Sequence, residues 1–237
     1  MTDTPSSSVI CVLGMHRSGT SCLTGSLQAA GVSLGKHHTW NAFNRKGNRE
    51  NQDIVDLNDA VLAHNAGSWK NPPRKVRYTD EHLAQARSIV ASFPASVRWG
   101  FKDPRTLLTL TLWREALADN YQRVGIFRHP LAVVASLGYR EGAKAMSEKD
   151  SLAIWHIYNT KLLDEYKRSP FPVLCFDWNE QEFHDKLAVV QEQLGLPELP
   201  EGSRFYSTKL RNYESNDLSI IPRKHRALYK NLKAITV

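Results

Sequence analysis

Gly14-Met15-His16-Arg17-Ser18-Gly19-Thr20-Ser21 has the length and glycine spacing of a loop that cradles phosphate. In such a loop the backbone N–H groups and the start of the following helix point at an anion, and the helix dipole adds to their pull. One position departs from the pattern. Thr20 stands where a lysine would reach between β- and γ-phosphates, which argues against ordinary nucleoside-triphosphate chemistry. The cation stands three places earlier, as Arg17, and the hydroxyls of Thr20 and Ser21 follow the second glycine. No set of His, Cys or Asp has metal-ligand spacing.

The elements that must hold this loop are legible in the hydrophobic pattern. Val9-Ile10-Cys11-Val12-Leu13 is a continuous apolar run, as expected of a strand buried on both faces. Thr20 to Ala30 carries a helical pattern that stops at Gly31, giving strand, glycine loop, helix. A polar segment, Lys36 to Arg49, has no clear period and reads as a loop facing a site. Helical patterns follow over Glu50 to Ala66, from a cap at Thr79 or Asp80 to Pro94, and over Thr106 to Ala118. Further helices are expected from Pro130 to about Leu137, from Asp150 to Tyr166 and from Glu182 to Leu194. Val97 to Lys102, Arg123 to Phe127 and Phe171 to Phe176 read as strands. Strands alternating with helices predict a P-loop-type three-layer α/β/α sandwich around a parallel sheet, with its ligand at the carboxyl ends of the strands. The chain is read as one domain over residues 1–237, with a flexible start at 1–8 and an irregular basic tail with a short helix over 197–237.

His16-Arg17-Ser18-Gly19-Thr20-Ser21 resembles the 5′-phosphosulfate loop of the sulfotransferases that use 3′-phosphoadenosine 5′-phosphosulfate (PAPS), especially the carbohydrate-type and bacterial members. Arg128-His129-Pro130 with Ser136, six residues beyond the proline, matches a second element of that family in spacing and context. The resemblance spans Val9 to about Leu196 and implies PAPS as sulfuryl donor and 3′-phosphoadenosine 5′-phosphate (PAP) as product, with no metal required. It assigns Gly14, His16, Arg17, Ser18, Gly19, Thr20 and Ser21 to the 5′ end of the donor. Arg128 and Ser136 fall to its 3′-phosphate, which a guanidinium and a hydroxyl can read through charge-assisted bonds.

Sulfuryl transfer needs a cation at the oxygen that departs and a base at the acceptor hydroxyl. Arg17 is the expected cation. Glu50, expected to open a helix, resembles the glutamate of carbohydrate-type members and is the chosen base, with Asp53 one turn away as competitor. Lys102, in Phe101-Lys102-Asp103-Pro104-Arg105, resembles a lysine that meets the transferring group. Asp103 and Arg105 read equally well as a structural ion pair. Arg211, in Lys209-Leu210-Arg211, resembles a nucleotide-side element of bacterial relatives, although a solvated basic loop accounts for it too. His37-His38 reads as loop polarity or an acceptor contact. Trp155 and Tyr158, on the long helix, are assigned to the core.

The chain carries 31 Lys and Arg against 24 Asp and Glu over 237 residues, a net +7 that favours an anionic partner without naming one. Its 41% hydrophobic and 23% charged residues are ordinary for a globular protein and exclude collagen-like and mainly disordered classes. The apolar runs are far shorter than the roughly 20 residues of a membrane span, and Met1 to Ser8 has no secretory pattern. Cys11, Cys22 and Cys175 suit reduced thiols. The expectation is a cytoplasmic bacterial enzyme acting on a hydroxyl-bearing small molecule or saccharide, with no nucleic-acid partner. Two other classes stay open: a nucleotide or small-molecule kinase with a degenerate loop, and a non-catalytic binder of phosphate ligands or nucleic acid.

Overall fold

The computed structural model describes residues 9–40, 47–118, 120–142, 145–199, 205–206 and 217–237. The start at 1–8, Arg211 and the rest of Lys209-Leu210-Arg211 lie outside these residues. Four strands, β1 (Val9–Leu13), β2 (Gly100–Lys102), β3 (Tyr121–Phe127) and β4 (Val173–Cys175), form one sheet. Their order is β2-β1-β3-β4 and every pair is parallel. All five residues of β1 are buried, which is why its sequence is continuously apolar rather than alternating. The chain leaves β1 for a strand on one side and later returns to β3 on the other, so the carboxyl ends of β1 and β3 meet at a topological switch, where such sheets bind ligands.

Helices flank the sheet: α1 (Thr20–Ala29), α2 (Gln52–His64), α3 (Asp80–Ala91), α4 (Thr106–Leu117), α5 (Pro130–Glu141), α6 (Glu148–Arg168), α7 (Glu180–Gln193) and α8 (Arg223–Lys233). Asn51, Thr79, Ser147 and Asn179 cap α2, α3, α6 and α7 by accepting first-turn N–H groups. The cap on α2 corrects the sequence reading. Asn51 Oδ1 takes the Asp53 and Ile54 amides, so the helix begins at Gln52 and Glu50 lies outside it. α5 runs one turn beyond its expected end and α8 fills eleven residues of the tail, packing on α6.

Buried Asn58 ties α2 to α4 with its whole amide. Its Nδ2 donates to Asp103 Oδ2 (2.8 Å) and Thr106 Oγ1 (3.3 Å), and its Oδ1 accepts from Thr109 Oγ1 (2.6 Å) and Trp113 Nε1 (2.8 Å). The core continues through Trp113, Trp155 and Tyr158, all fully buried. The three cysteines are buried and form no disulfide. No helix among the described residues is long and apolar enough to cross a membrane.

Candidate active site

The loop from Gly14 to Gly19 joins β1 to α1 at the switch point. A Cβ on Gly14 would stand 2.5 Å from the Ile126 carbonyl oxygen of β3, so only glycine lets the loop leave the sheet this close to its neighbour. Arg17 and Gly19 take positive φ (65° and 88°), which turns the loop back on itself. Gly19 caps α1 with no side-chain bond, and the first turn holds no acid, unlike the helices capped by Asn, Ser or Thr, so the positive end of the helix dipole faces the loop without an anion of its own turn. Ser18 Oγ and His16 Nε2 are buried without a hydrogen-bond partner. Buried polar groups are rarely left so, and both lie in the loop built for an anion. The residues present therefore fit a phosphate or phosphosulfate group.

One hydroxyl of the loop faces elsewhere. Ser21 Oγ donates to the Asn48 carbonyl (3.1 Å), and the Thr20 methyl packs at Gly14. Ser21 thus anchors the segment that carries Glu50. The His38 amide donates to the Glu50 carbonyl (2.9 Å) and the Arg49 amide to the His38 carbonyl (3.0 Å), completing that anchor. The ring nitrogens of His37 face the Gly35 carbonyl (2.8 Å) and the Gln28 amide (3.4 Å), holding the side chain beside α1.

Arg17 and Ser136, assigned from sequence to opposite ends of the donor, are joined directly. Arg17 Nε donates to Ser136 Oγ (2.8 Å), and Arg128 Nη1 donates to the Arg17 carbonyl (3.4 Å). Arg140, one turn beyond Ser136 on α5, belongs to the same group. Burial, then the positive charges of Arg140 and Arg128, push the Arg17 guanidinium down to about 10. Burial, followed by the cations Arg105, Arg140, Lys102 and Arg17, holds His16 well below its ordinary range, so its imidazole is neutral. Cations gathered at such a distance repel one another, and an anion between them relieves the repulsion.

Glu50 and Lys102 meet at the carboxyl end of β2. Lys102 Nζ lies 2.7 Å from Glu50 Oε1, with side-chain exposures of 2% and 13%. Asp53 is exposed on the first turn of α2 and does not join them. Asp103 and Arg105 form the ion pair that the sequence offered as their structural role (2.9 Å), and Arg105 also reaches Asp59 (2.7 Å). Burial raises the Asp103 carboxyl to about 6 in spite of Arg105.

Several side chains at the site were not assigned to it from sequence. Trp69 packs on the His16 ring (4.4 Å between centroids), with Arg140 and Lys70 each 5.3 Å from its ring. Trp155 and Tyr158 are core residues as expected, yet they also floor the site. Trp155 Nε1 donates to the Arg128 carbonyl (3.0 Å), and the Tyr158 ring meets His16 edge-on. Phe176 lies where a Cβ on Gly19 would go and 5.3 Å from Arg128 Cζ. Asp177 follows it at the end of β4. Asp103 and Asp177 both stand at strand ends, where an acid that holds magnesium would lie in a kinase. Asp103 is engaged by Arg105 and Asn58, and Asp177 by the His129 amide and Tyr229. The signal that could have found Asp177 was its place directly after an apolar run.

No protein-family model matches the chain, and no curated protein matches it. Among solved structures it is similar to the sulfotransferase domain of the olefin synthase from Synechococcus PCC 7002. That likeness covers 98% of this chain and 89% of the other, at 16% identity and a TM-score of 0.53. A sulfotransferase from Mycobacterium tuberculosis also aligns, over 98% of this chain and 78% of that one, at 13% identity and a TM-score of 0.45. The first likeness, with the parallel sheet and the loop after β1, gives the chain the P-loop-type α/β fold of a sulfotransferase domain.

Proposed function

We propose that this protein is a PAPS-dependent sulfotransferase that moves a sulfuryl group to a hydroxyl of a sugar or glycoconjugate. One observation carries the donor assignment. Beside a phosphate loop that has Thr20 in the lysine position, Arg17 hydrogen-bonds Ser136 through its side chain and Arg128 through its carbonyl, which gathers the three at one place. ATP offers nothing for a second anion site at this place, whereas PAPS carries an extra phosphate on its ribose. The acceptor class follows from the resemblance of Glu50 and the loop to carbohydrate-type members. The engagement of Asp103 and Asp177 by protein partners favours this reading over a kinase.

When bound, the nucleotide supplies a sulfuryl group whose bond to the 5′-phosphate oxygen breaks as the acceptor oxygen bonds to sulfur. The loop amides and Ser18 hold its 5′ end, and Arg128 with Ser136 its 3′-phosphate. Arg17 meets the negative charge that grows on the departing oxygen, an interaction worth most in the transition state. Glu50 takes the proton of the acceptor hydroxyl. Protonation weakens its pair with Lys102 and leaves the Lys102 ammonium for the oxygens of the moving group.

Radiolabelled PAPS, incubated with the protein and a panel of saccharides, tests the reading. Label transferred to a hydroxyl supports it. Transfer of the γ-phosphate from ATP instead, with none from PAPS, contradicts it.

A further inference from the structure

Asp177 has no part in the reaction as described, yet it sits behind the residue that reads the 3′-phosphate. Its Oδ2 accepts from the His129 backbone N–H (2.6 Å) and from the Tyr229 hydroxyl (3.0 Å). Its Oδ1 lies 3.9 Å from Arg128 Nε. That separation is too long for a hydrogen bond, so the carboxylate orients the guanidinium by charge rather than by capturing one of its protons. The His129 side chain provides no cap for α5, and Asp177 supplies the anion that the start of this helix favours.

The guanidinium is thereby framed by Asp177 on its Nε side, the Phe176 ring near Cζ and the Arg17 carbonyl at Nη1. Its backbone is pinned by Trp155. Tyr229 comes from α8, far along the chain, and its ring meets Phe127 and His129 edge-on. Burial beside Cys175 and Asp177 raises the phenol above its ordinary range, so the hydroxyl stays protonated and donates.

Resting on the PAPS reading, we propose that Asp177 and Tyr229 are positioning residues: through the Tyr229–Asp177 hydrogen bond, helix α8 locks Arg128 in the orientation that receives the 3′-phosphate. An arginine side chain loses much rotamer freedom on being fixed, and fixing it before binding removes that loss from the binding step. The tail helix is then part of the nucleotide site although it contributes no group to it.

The test is calorimetric titration of the full chain with PAP and with AMP, for the wild type, Tyr229→Phe and Asp177→Asn. Tyr229→Phe keeps the ring packing and removes only the donor. The account expects the PAP-to-AMP affinity ratio to fall about five- to tenfold in Tyr229→Phe and at least as far in Asp177→Asn, with AMP affinity held, as the loss of one well-placed bond implies. A wild-type ratio in both variants overturns the proposal. So does an equal loss for both nucleotides, or a lowered melting temperature with the ratio kept, since either marks the pair as merely structural. A wild type that does not prefer PAP overturns the donor assignment itself, a result separate from any change among the variants.

Discussion

Gly19 holds a φ of 88°, and the Phe176 ring lies 2.3 Å from where its Cβ would be. Gly19→Ala therefore strains the backbone and displaces the ring that flanks Arg128. The expected outcome is at least a tenfold loss of PAP affinity, on the order of 1.4 kcal/mol, read by calorimetry; unchanged affinity contradicts the geometry. Arg17→Ala acts differently. It should lower single-turnover transfer by about a hundredfold or more, with a smaller effect on PAP affinity, because the charge it meets develops during the reaction. Glu50→Gln should remove most transfer and leave PAP binding intact, by about a hundred- to ten-thousandfold for a lost base, while Asp53→Asn should be near neutral. A large loss in the second and none in the first would reassign the base. At this scale the loop was legible because its signal is eight consecutive residues. The Arg17–Ser136 bond, the Glu50–Lys102 pair and the Tyr229–Asp177 bond were not, since each joins residues 52 to 119 positions apart.

Elements were legible in kind, and their ends were set by side chains that compete for backbone groups. Glu50 reads as the first residue of a helix by pattern, but Asn51 wins the amides of the first turn and starts the helix beyond it. That shift of two residues takes Glu50 off the helix and leaves it opposite Lys102. α2 and α4 are then fixed by Asn58, whose amide is saturated by Asp103, Thr106, Thr109 and Trp113. Asn58→Ala strips partners from several buried groups at once, and each one left unsatisfied costs about 1–3 kcal/mol. Urea unfolding should show a loss of about 2–4 kcal/mol, among the largest for a single substitution in this chain. A change under about 1 kcal/mol would mean that water or rearrangement replaces the network.

Across the whole molecule, the order β2-β1-β3-β4 brings the loop after β1 and the arginine after β3 to one edge, although 111 positions separate Arg17 from Arg128 in sequence. The alternation of strands and helices was enough to place both at carboxyl ends, but not to say that those ends are neighbours. α8 packs on α6 and reaches Asp177 through Tyr229, and its His225 gives the fold a pH dependence. Burial, then His156 and Lys224, hold that imidazole down to about 4, against an ordinary 6.5. The unfolded chain binds the proton more readily between these values, so His225 contributes stability above about pH 6.5 that is lost as pH falls toward 4. His16, His129 and His156 are lowered too and act in the same direction. Asp103, raised to about 6, opposes them, its share being lost as pH rises through that value. With four imidazoles against one carboxyl, the melting temperature should rise from pH 5 to pH 7, and His225→Gln should flatten the rise. A stability that falls over this range would contradict the burial of these rings as neutral groups.

The measurement that bears most directly on the central claim is the affinity of the wild-type chain for PAP and for AMP, which differ in the 3′-phosphate alone. If Arg128 and Ser136 form its receptor, calorimetry should show PAP bound at least about tenfold more tightly, the worth of a charge-assisted contact to a phosphate, and Arg128→Ala should abolish the difference while AMP binding persists. Equal affinities of the wild type for the two nucleotides would contradict the account.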